Sequence, residues 1–301
     1  MRRVKRTRCV GVYGAVLSGG FLLVGTSGCM PSLPAERFSV VPDRVPYEEF
    51  VTRITSPTGL AFDRFGRFLV ASAAMNGCIW QFAVTGERLK LVAGLQRPMH
   101  LAVEQGGDVY VSVATPQGNI FRIAPDGSRV IRLRGIQNPV GLATDNFGRL
   151  YIAESVPRGR ILRYADDELL TWAEDLNRPT GLATDDSGNV FVLESTGRLL
   201  RMRFNGARHP VVPAGLLRQP QEILYSPAFA GIFVTENVSR GRLCFIDIED
   251  GAVTSLLYDL RRPHGLALDA EGNLYIAESD RKRVLRIRAE DLKEALMPPD
   301  K

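Results

Sequence analysis

The phrase Pro-x-Gly-Leu-Ala recurs along this chain at near-constant spacing. Four copies begin at Pro57, Pro139, Pro179 and Pro263, reading PTGLA, PVGLA, PTGLA and PHGLA. Looser copies begin at Pro98 (PMHLA) and Pro220 (PQEIL). Successive copies stand 41, 41, 40, 41 and 43 residues apart. Self-similarity at such a period marks a repeat architecture, in which stacked units bury a core that no unit could bury alone.

The third unit shows the pattern. An apolar run from Val140 to Ala143 is followed by Asp145-Asn-Phe-Gly148, a turn signal whose glycine supplies a positive φ. Leu150 to Ala153, Ile161 to Tyr164 and Leu169 to Trp172 follow, each short, rich in strand formers and bounded by polar residues. Four short strands per unit predict a propeller blade, and six units predict an all-β, six-bladed β-propeller. The last unit lacks a good fourth strand. Tyr47 to Ile54 stands where a fourth strand precedes each Pro, so this N-terminal segment is expected to complete the sixth blade and cover an open sheet edge. Length alone suggests about two domains, but the repeats argue for one, over residues 47–296, with a tail at 297–301.

Pro-x-Gly-Leu-Ala-x-Asp-x-x-Gly-x-Leu-Tyr-Ile-Ala-Glu, followed by Gly-Arg-Ile-Leu-Arg, resembles the NHL repeat of six-bladed propellers. The resemblance covers about residues 47 to 290. It implies fold more firmly than function, because such propellers include protein and RNA binders as well as lyases and lactonases.

Arg2, Arg3, Lys5, Arg6 and Arg8 account for the formal net charge of +5; beyond residue 28 the chain carries 33 basic and 33 acidic residues. Overall neutrality does not favour a basic face, and no nucleic-acid partner is expected. Residues 1–28 read as a secretory signal: a basic start, then an apolar or small stretch from Val10 to Val24. Thr26-Ser-Gly-Cys29 resembles a bacterial lipoprotein box, with Thr26 where Leu is more usual. The resemblance implies that Cys29 is lipidated and that residues 29–46, with Pro31, Pro34, Pro42 and Pro46, form a semi-rigid tether. The expected location is the bacterial cell envelope, outside the cytosol. Cys78 and Cys244 fall on third strands of blades one and five, which are not neighbours, so they are expected to be unbridged packing residues.

Four blades end their second strand in Glu: Glu154, Glu194, Glu236 and Glu278. The same four start their third strand with Arg: Arg160, Arg198, Arg242 and Arg283. The other two blades have Ser72 with Cys78 and Val113 with Asn119. This covariation within one chain predicts one structural ion pair per blade.

In propellers of this kind the start of each innermost strand lines one mouth of the central channel. The residue after each Pro is Thr58, Met99, Val140, Thr180, Gln221 and His264; the next is Gly59, His100, Gly141, Gly181, Glu222 and Gly265. Two of the three histidines fall in this band; His209 lies on a fourth strand, at the rim. His100, Glu222 and His264, with Gln221 beside them, form the candidate ligand site, and imidazole with carboxylate suits Zn²⁺ or Ca²⁺. Pro263-His264-Gly-Leu266 resembles the His phrase of the amidating lyases (peptidyl-α-hydroxyglycine lyases). The gluconolactonase-type propellers offer a second comparison, with carboxylate and Asn ligands. His100 is shifted by one residue from the His264 position, which in a strand reverses the face. With no Ser/His/Asp arrangement, no activated Cys and no phosphate loop, the sequence favours a membrane-anchored binding or scaffold module for a protein, peptide or envelope ligand. The alternative is a metal-dependent lyase or lactone hydrolase at the channel mouth.

Overall fold

The structure, a computed structural model, describes residues 45–297 apart from Met75 and residues 84–86. The signal segment 1–28, Cys29, nearly all of the tether and residues 298–301 lie outside the described residues.

Six four-stranded antiparallel sheets form a ring. Each repeated Pro opens the innermost strand of a blade: Pro57–Phe62, Pro98–Val103, Pro139–Thr144, Pro179–Thr184, Pro220–Ser226 and Pro263–Leu268. In the third blade the next strands are Leu150–Glu154, Gly159–Ala165 and Glu168–Leu176. The outer strand runs past Trp172 because Leu176 is buried at the far end and anchors it. The sixth sheet is completed on its outside by Glu48–Thr52, which pairs antiparallel with Arg283–Ile287. The tail holds a short helix, Ala289–Leu296, whose Leu292 is buried.

The core is partitioned between blades. Six buried clusters each join two adjacent blades; Leu69, Ile79 and Val92 of blade one pack on Leu101 and Val111 of blade two, and Phe68 and Val70 of blade one on Tyr275 and Val284 of blade six. At about 25 cal/mol per Å² of apolar area removed from water, these inter-blade layers are the main favourable term. At the far end of the inner strand in blades one, three, four and six an Asp closes the turn; blade two has Glu104 and blade five Pro227 instead. Asp145 Oδ1 accepts the Phe147 and Arg149 backbone N–H groups at 2.9 and 3.0 Å, and Asp63 does the same for Phe65 and Arg67. This is why Asp-x-x-Gly repeats: a short acceptor fixes the turn and Gly148 takes φ +76°.

The pairing of each inner strand with the second strand is broken just after the Pro in all six blades. Proline has no N–H to donate, and the residue before it takes a positive φ of 44 to 49° in every blade. The residue after each Pro therefore leaves the regular ladder, joined in blades one, two, three and six by the residue that follows it.

Candidate functional site

At four of the six blades the second residue after Pro is Gly, because the neighbouring blade's backbone passes close by. A Cβ built on Gly59, Gly141 or Gly265 would stand 2.7, 2.4 and 2.1 Å from the Met99, Thr180 and Thr58 carbonyl oxygens. His100 and Glu222 occupy the same position in blades two and five. Those blades lie three apart in a ring of six, on opposite sides of the axis. Their side chains meet: His100 Nε2 stands 3.1 Å from Glu222 Oε2, and both residues are buried.

The imidazole is held at both nitrogens. Nδ1 accepts the Leu142 backbone N–H at 2.7 Å, so the proton sits on Nε2 and is donated to Glu222. Burial pushes the His100 pKa down to about 4 and holds the Glu222 carboxyl well above the usual carboxylate range, the latter eased by the Ile223 N–H donating to Oε1 at 3.1 Å. The contact is thus a hydrogen bond from a neutral imidazole, not an ion pair.

His264 stands apart from this pair. Its Nε2 lies 2.9 Å from Asn237 Nδ2, which also reaches Gln221 Oε1 at 3.5 Å. As the amide N–H donates, Nε2 is the acceptor and the ring is neutral. Burial, then Arg262, lowers its pKa to about 4. The one-residue shift between His100 and His264 sends them to different faces. His209 is exposed on the outer strand of blade four.

Sequence reasoning missed Ser112 and Thr235. Ser112 Oγ accepts the His100 N–H at 3.1 Å and donates to the Val140 carbonyl at 2.9 Å; Thr235 Oγ1 donates to the His264 carbonyl at 2.7 Å. Both break an apolar column (Ala71, Ala153, Leu193 and Ala277 elsewhere), and they do so in the two blades that carry His100 and Glu222. Thr58 and Thr180 repeat the relation, donating to the Pro98 and Pro220 carbonyls at 2.8 and 3.2 Å. The channel lining therefore repeats after three blades, and blade five is the counterpart of blade two.

The four glutamates at the strand ends are buried, each against an arginine at or just before the start of the next strand. Glu154–Arg160 and Glu194–Arg198 stand at 2.7 Å, Glu236–Arg242 and Glu278–Arg283 at 2.5 Å. Each carboxylate also accepts a backbone N–H from the loop that enters its blade: Gln137, Asn177 and Arg218 at 2.9 Å and Arg261 at 2.6 Å. In blade one Ser72 Oγ donates to the Thr55 carbonyl of that loop instead, at 2.5 Å. Each glutamate so ties one blade to the next. Cys78 and Cys244 are buried and unbridged.

A cavity of about 230 Å³ lies in the channel, lined by the later halves of the inner strands, with His100 at its inner limit. A larger cavity of about 790 Å³ lies at the opposite end of the ring from the prolines. It sits between blades one and six, among Phe50, Phe62, Phe68, Phe82 and Tyr275, remote from the three candidate residues. Among the described residues no three His, Cys, Asp or Glu side chains come together as a metal centre, and no helix is long and apolar enough to cross a membrane.

The fold is that of a six-bladed β-propeller. The NHL repeat model matches residues 260–287. No curated protein sequence matches the chain significantly. Among solved structures, a gluconolactonase of Xanthomonas campestris superposes with TM-score 0.70 at 13% identity, over 81% of this chain and 89% of that one. An auxiliary nutrient binding protein of Bacteroides thetaiotaomicron gives TM-score 0.64 at 13% identity, over 78% and 69%. The nidogen/laminin complex gives TM-score 0.62 at 20% identity, over 75% and 86%. At these identities the likeness is one of fold.

Proposed function

We propose that this protein is a binding or scaffold module of the bacterial envelope, engaging a protein, peptide or envelope ligand through the loops at one end of the ring. The observation that carries this reading is the state of His100. One ring nitrogen accepts the Leu142 N–H and the other donates to Glu222, leaving no lone pair for a metal or a substrate proton. His264 is likewise turned to Asn237. These residues do not fit a divalent-metal centre of the kind that a lyase or lactonase reading needs. The nutrient-binding and laminin-complex propellers are precedents for binding on this fold, and the gluconolactonase is a precedent for catalysis.

The test places a photo-crosslinking residue at Gln117, at the proline end, and at Asp126, at the other, in the full chain in its native host. Metal titration and lactone hydrolysis are measured beside it. The reading expects a discrete adduct from at least one end, no saturable Zn²⁺ or Ca²⁺ uptake and no hydrolysis above buffer. Near-stoichiometric metal that is lost in both His100→Ala and His264→Ala overturns it in favour of the enzyme.

We further propose a lipid anchor at Cys29, supported by the basic start, the apolar stretch and the Thr26-Ser-Gly-Cys29 box. Cys29→Ala then moves the protein from the membrane to the soluble fraction; unchanged partitioning sinks the anchor.

A further inference from the structure

The neutral composition of the folded domain conceals a sorting of charge between the two ends of the ring. Twelve loops face the proline end: six enter an inner strand and six join a second strand to a third. Together they carry eleven Lys or Arg and one acid, Asp280; six of these arginines already pair with acids at the ends of the flanking strands, Arg158 with Asp175, Arg198 with Glu194, Arg218 with Glu236, Arg240 and Arg261 with Asp259, and Arg281 with Glu278. The eleven loops that join consecutive strands at the opposite end carry fourteen Asp or Glu and four Arg. The expectation that neutrality disfavours a basic face is corrected here, because a ring separates residues by loop type and composition averages over both ends.

At the proline end, the six residues before the prolines are placed alike by the backbone. Each takes positive φ, and its carbonyl accepts an N–H from the loop after the second strand, as in Ala114 to Arg97, Ser195 to Arg178 and Ser279 to Arg262. In blades two, four and six this residue is Arg97, Arg178 and Arg262, so three guanidinium groups alternate around the channel mouth with Ser56, Asn138 and Gln219. All three are exposed. The Arg97 and Arg178 guanidinium groups have no hydrogen-bond or ion-pair partner among the described residues, and that of Arg262 has an exposed 3.8 Å contact with Asp280. Two unpaired forks and a third held only by this loose, exposed contact, all on one frame, suit carboxylates.

We propose that the proline-end mouth docks an acidic peptide segment of a protein partner, with Arg97, Arg178 and Arg262 as its carboxylate receptors. This rests on the binding-module reading and names its face and ligand. The twelve loops contain no Phe, Tyr or Trp, so sugar rings and nucleobases find no stacking platform there. The strand Glu48–Thr52 runs antiparallel to Arg283–Ile287, so the described chain begins at the acidic end of the ring, opposite the three arginines. An anionic membrane surface is separated from a peptide by the experiment below. The acidic-motif mode of recognition by arginine clusters remains.

The experiment uses a fluorescein-labelled glutamate oligomer of about twelve residues, long enough to span the three forks, titrated into the full chain with anisotropy as readout. The variant is R97N/R178N/R262N; Asn138 shows that the position accepts Asn, which also tolerates positive φ. The control is D185N/D186N at the acidic end. Saturable binding that falls steeply between about 0.05 and 0.3 M salt, weakens about tenfold or more in the arginine variant and persists in the control is the expected result. Thermal unfolding of the arginine variant should match the parent. No binding, or binding equal in both variants, overturns the proposal. Arginine-dependent binding of phosphatidylglycerol vesicles or of oligouridylate in its place also overturns it. If the glutamate probe fails while the crosslinking above still traps an adduct, the binding module stands and the acidic partner falls.

Discussion

His100 of blade two donates from Nε2 to Oε2 of Glu222 in blade five across 3.1 Å, and this contact bridges the channel from opposite sides of the ring. Truncating either partner leaves a buried polar group unpaired, which costs about 1–3 kcal/mol. His100→Ala and Glu222→Ala should each lower stability by that order. The double variant should fall well short of the sum, with a coupling of about 1 kcal/mol by denaturant titration. Additive losses would show that the two side chains do not interact.

Acid should weaken the fold through its histidines. His100 and His264 have native pKa values of about 4 against an unfolded value near 6.5, so the unfolded chain binds more protons between those limits. Their stabilisation is complete above pH 6.5 and is lost as pH falls towards 4, by up to about 3 kcal/mol for His100 and less for the half-buried His264. Glu222 acts in the opposite sense. Its native pKa is raised, so its contribution is complete below about 4.5 and is lost as pH rises above that. Glu222→Gln should therefore steepen the acid loss between pH 6.5 and 4, and H100Q/H264N should flatten it. Identical pH profiles in the three proteins would contradict both shifts.

The strand-end glutamates carry two duties, and mutants can separate them. Arg160→Met removes the 2.7 Å partner of Glu154 but leaves the Gln137 N–H bond, and Arg160 itself is 39% exposed. A loss of about 1 kcal/mol is expected. Glu154→Leu strands both the guanidinium and the backbone N–H, and should cost about 2–4 kcal/mol. Equal losses would mean that the bond to the entering loop contributes nothing.

The sequence made the blade legible because each strand's role is local: a Pro to open, an Asp-x-x-Gly turn, an apolar second strand. Covariation within a blade likewise led to the Glu–Arg pairs. The channel pair was not assembled, because its two members lie 122 positions apart and meet only after the ring closes. The information was present in another form. The Gly column breaks at His100 and Glu222, three blades apart, and the apolar column of Ser112 and Thr235 breaks in the same two blades. A count by blade separation, in place of blade identity, finds them. Charge failed for a related reason, since total composition carries no information about which end of a strand a loop occupies.

The sixth blade takes its outer strand from the N-terminal end of the described chain, and one aromatic residue tests how much that strand matters. Phe50 packs edge-on against Tyr275 at 4.9 Å and against Phe68 of blade one at 5.6 Å, so it contacts both sides of the seam between first and last blades. The ring is 39% exposed, which limits the hydrophobic loss on truncation. Phe50→Ala should cost about 1–2 kcal/mol, from partial burial plus aromatic contact. A strand break such as Val51→Pro removes a ladder donor and uncovers the edge of Arg283–Ile287. Hydrogen exchange should then rise first at Val284 and Leu285, ahead of the equivalent third strand of blade three, and the variant should self-associate on concentration. Uniform exchange across all six blades, with no change in association, would mean that the seam is held by the interlocked inner strands and not by this outer strand.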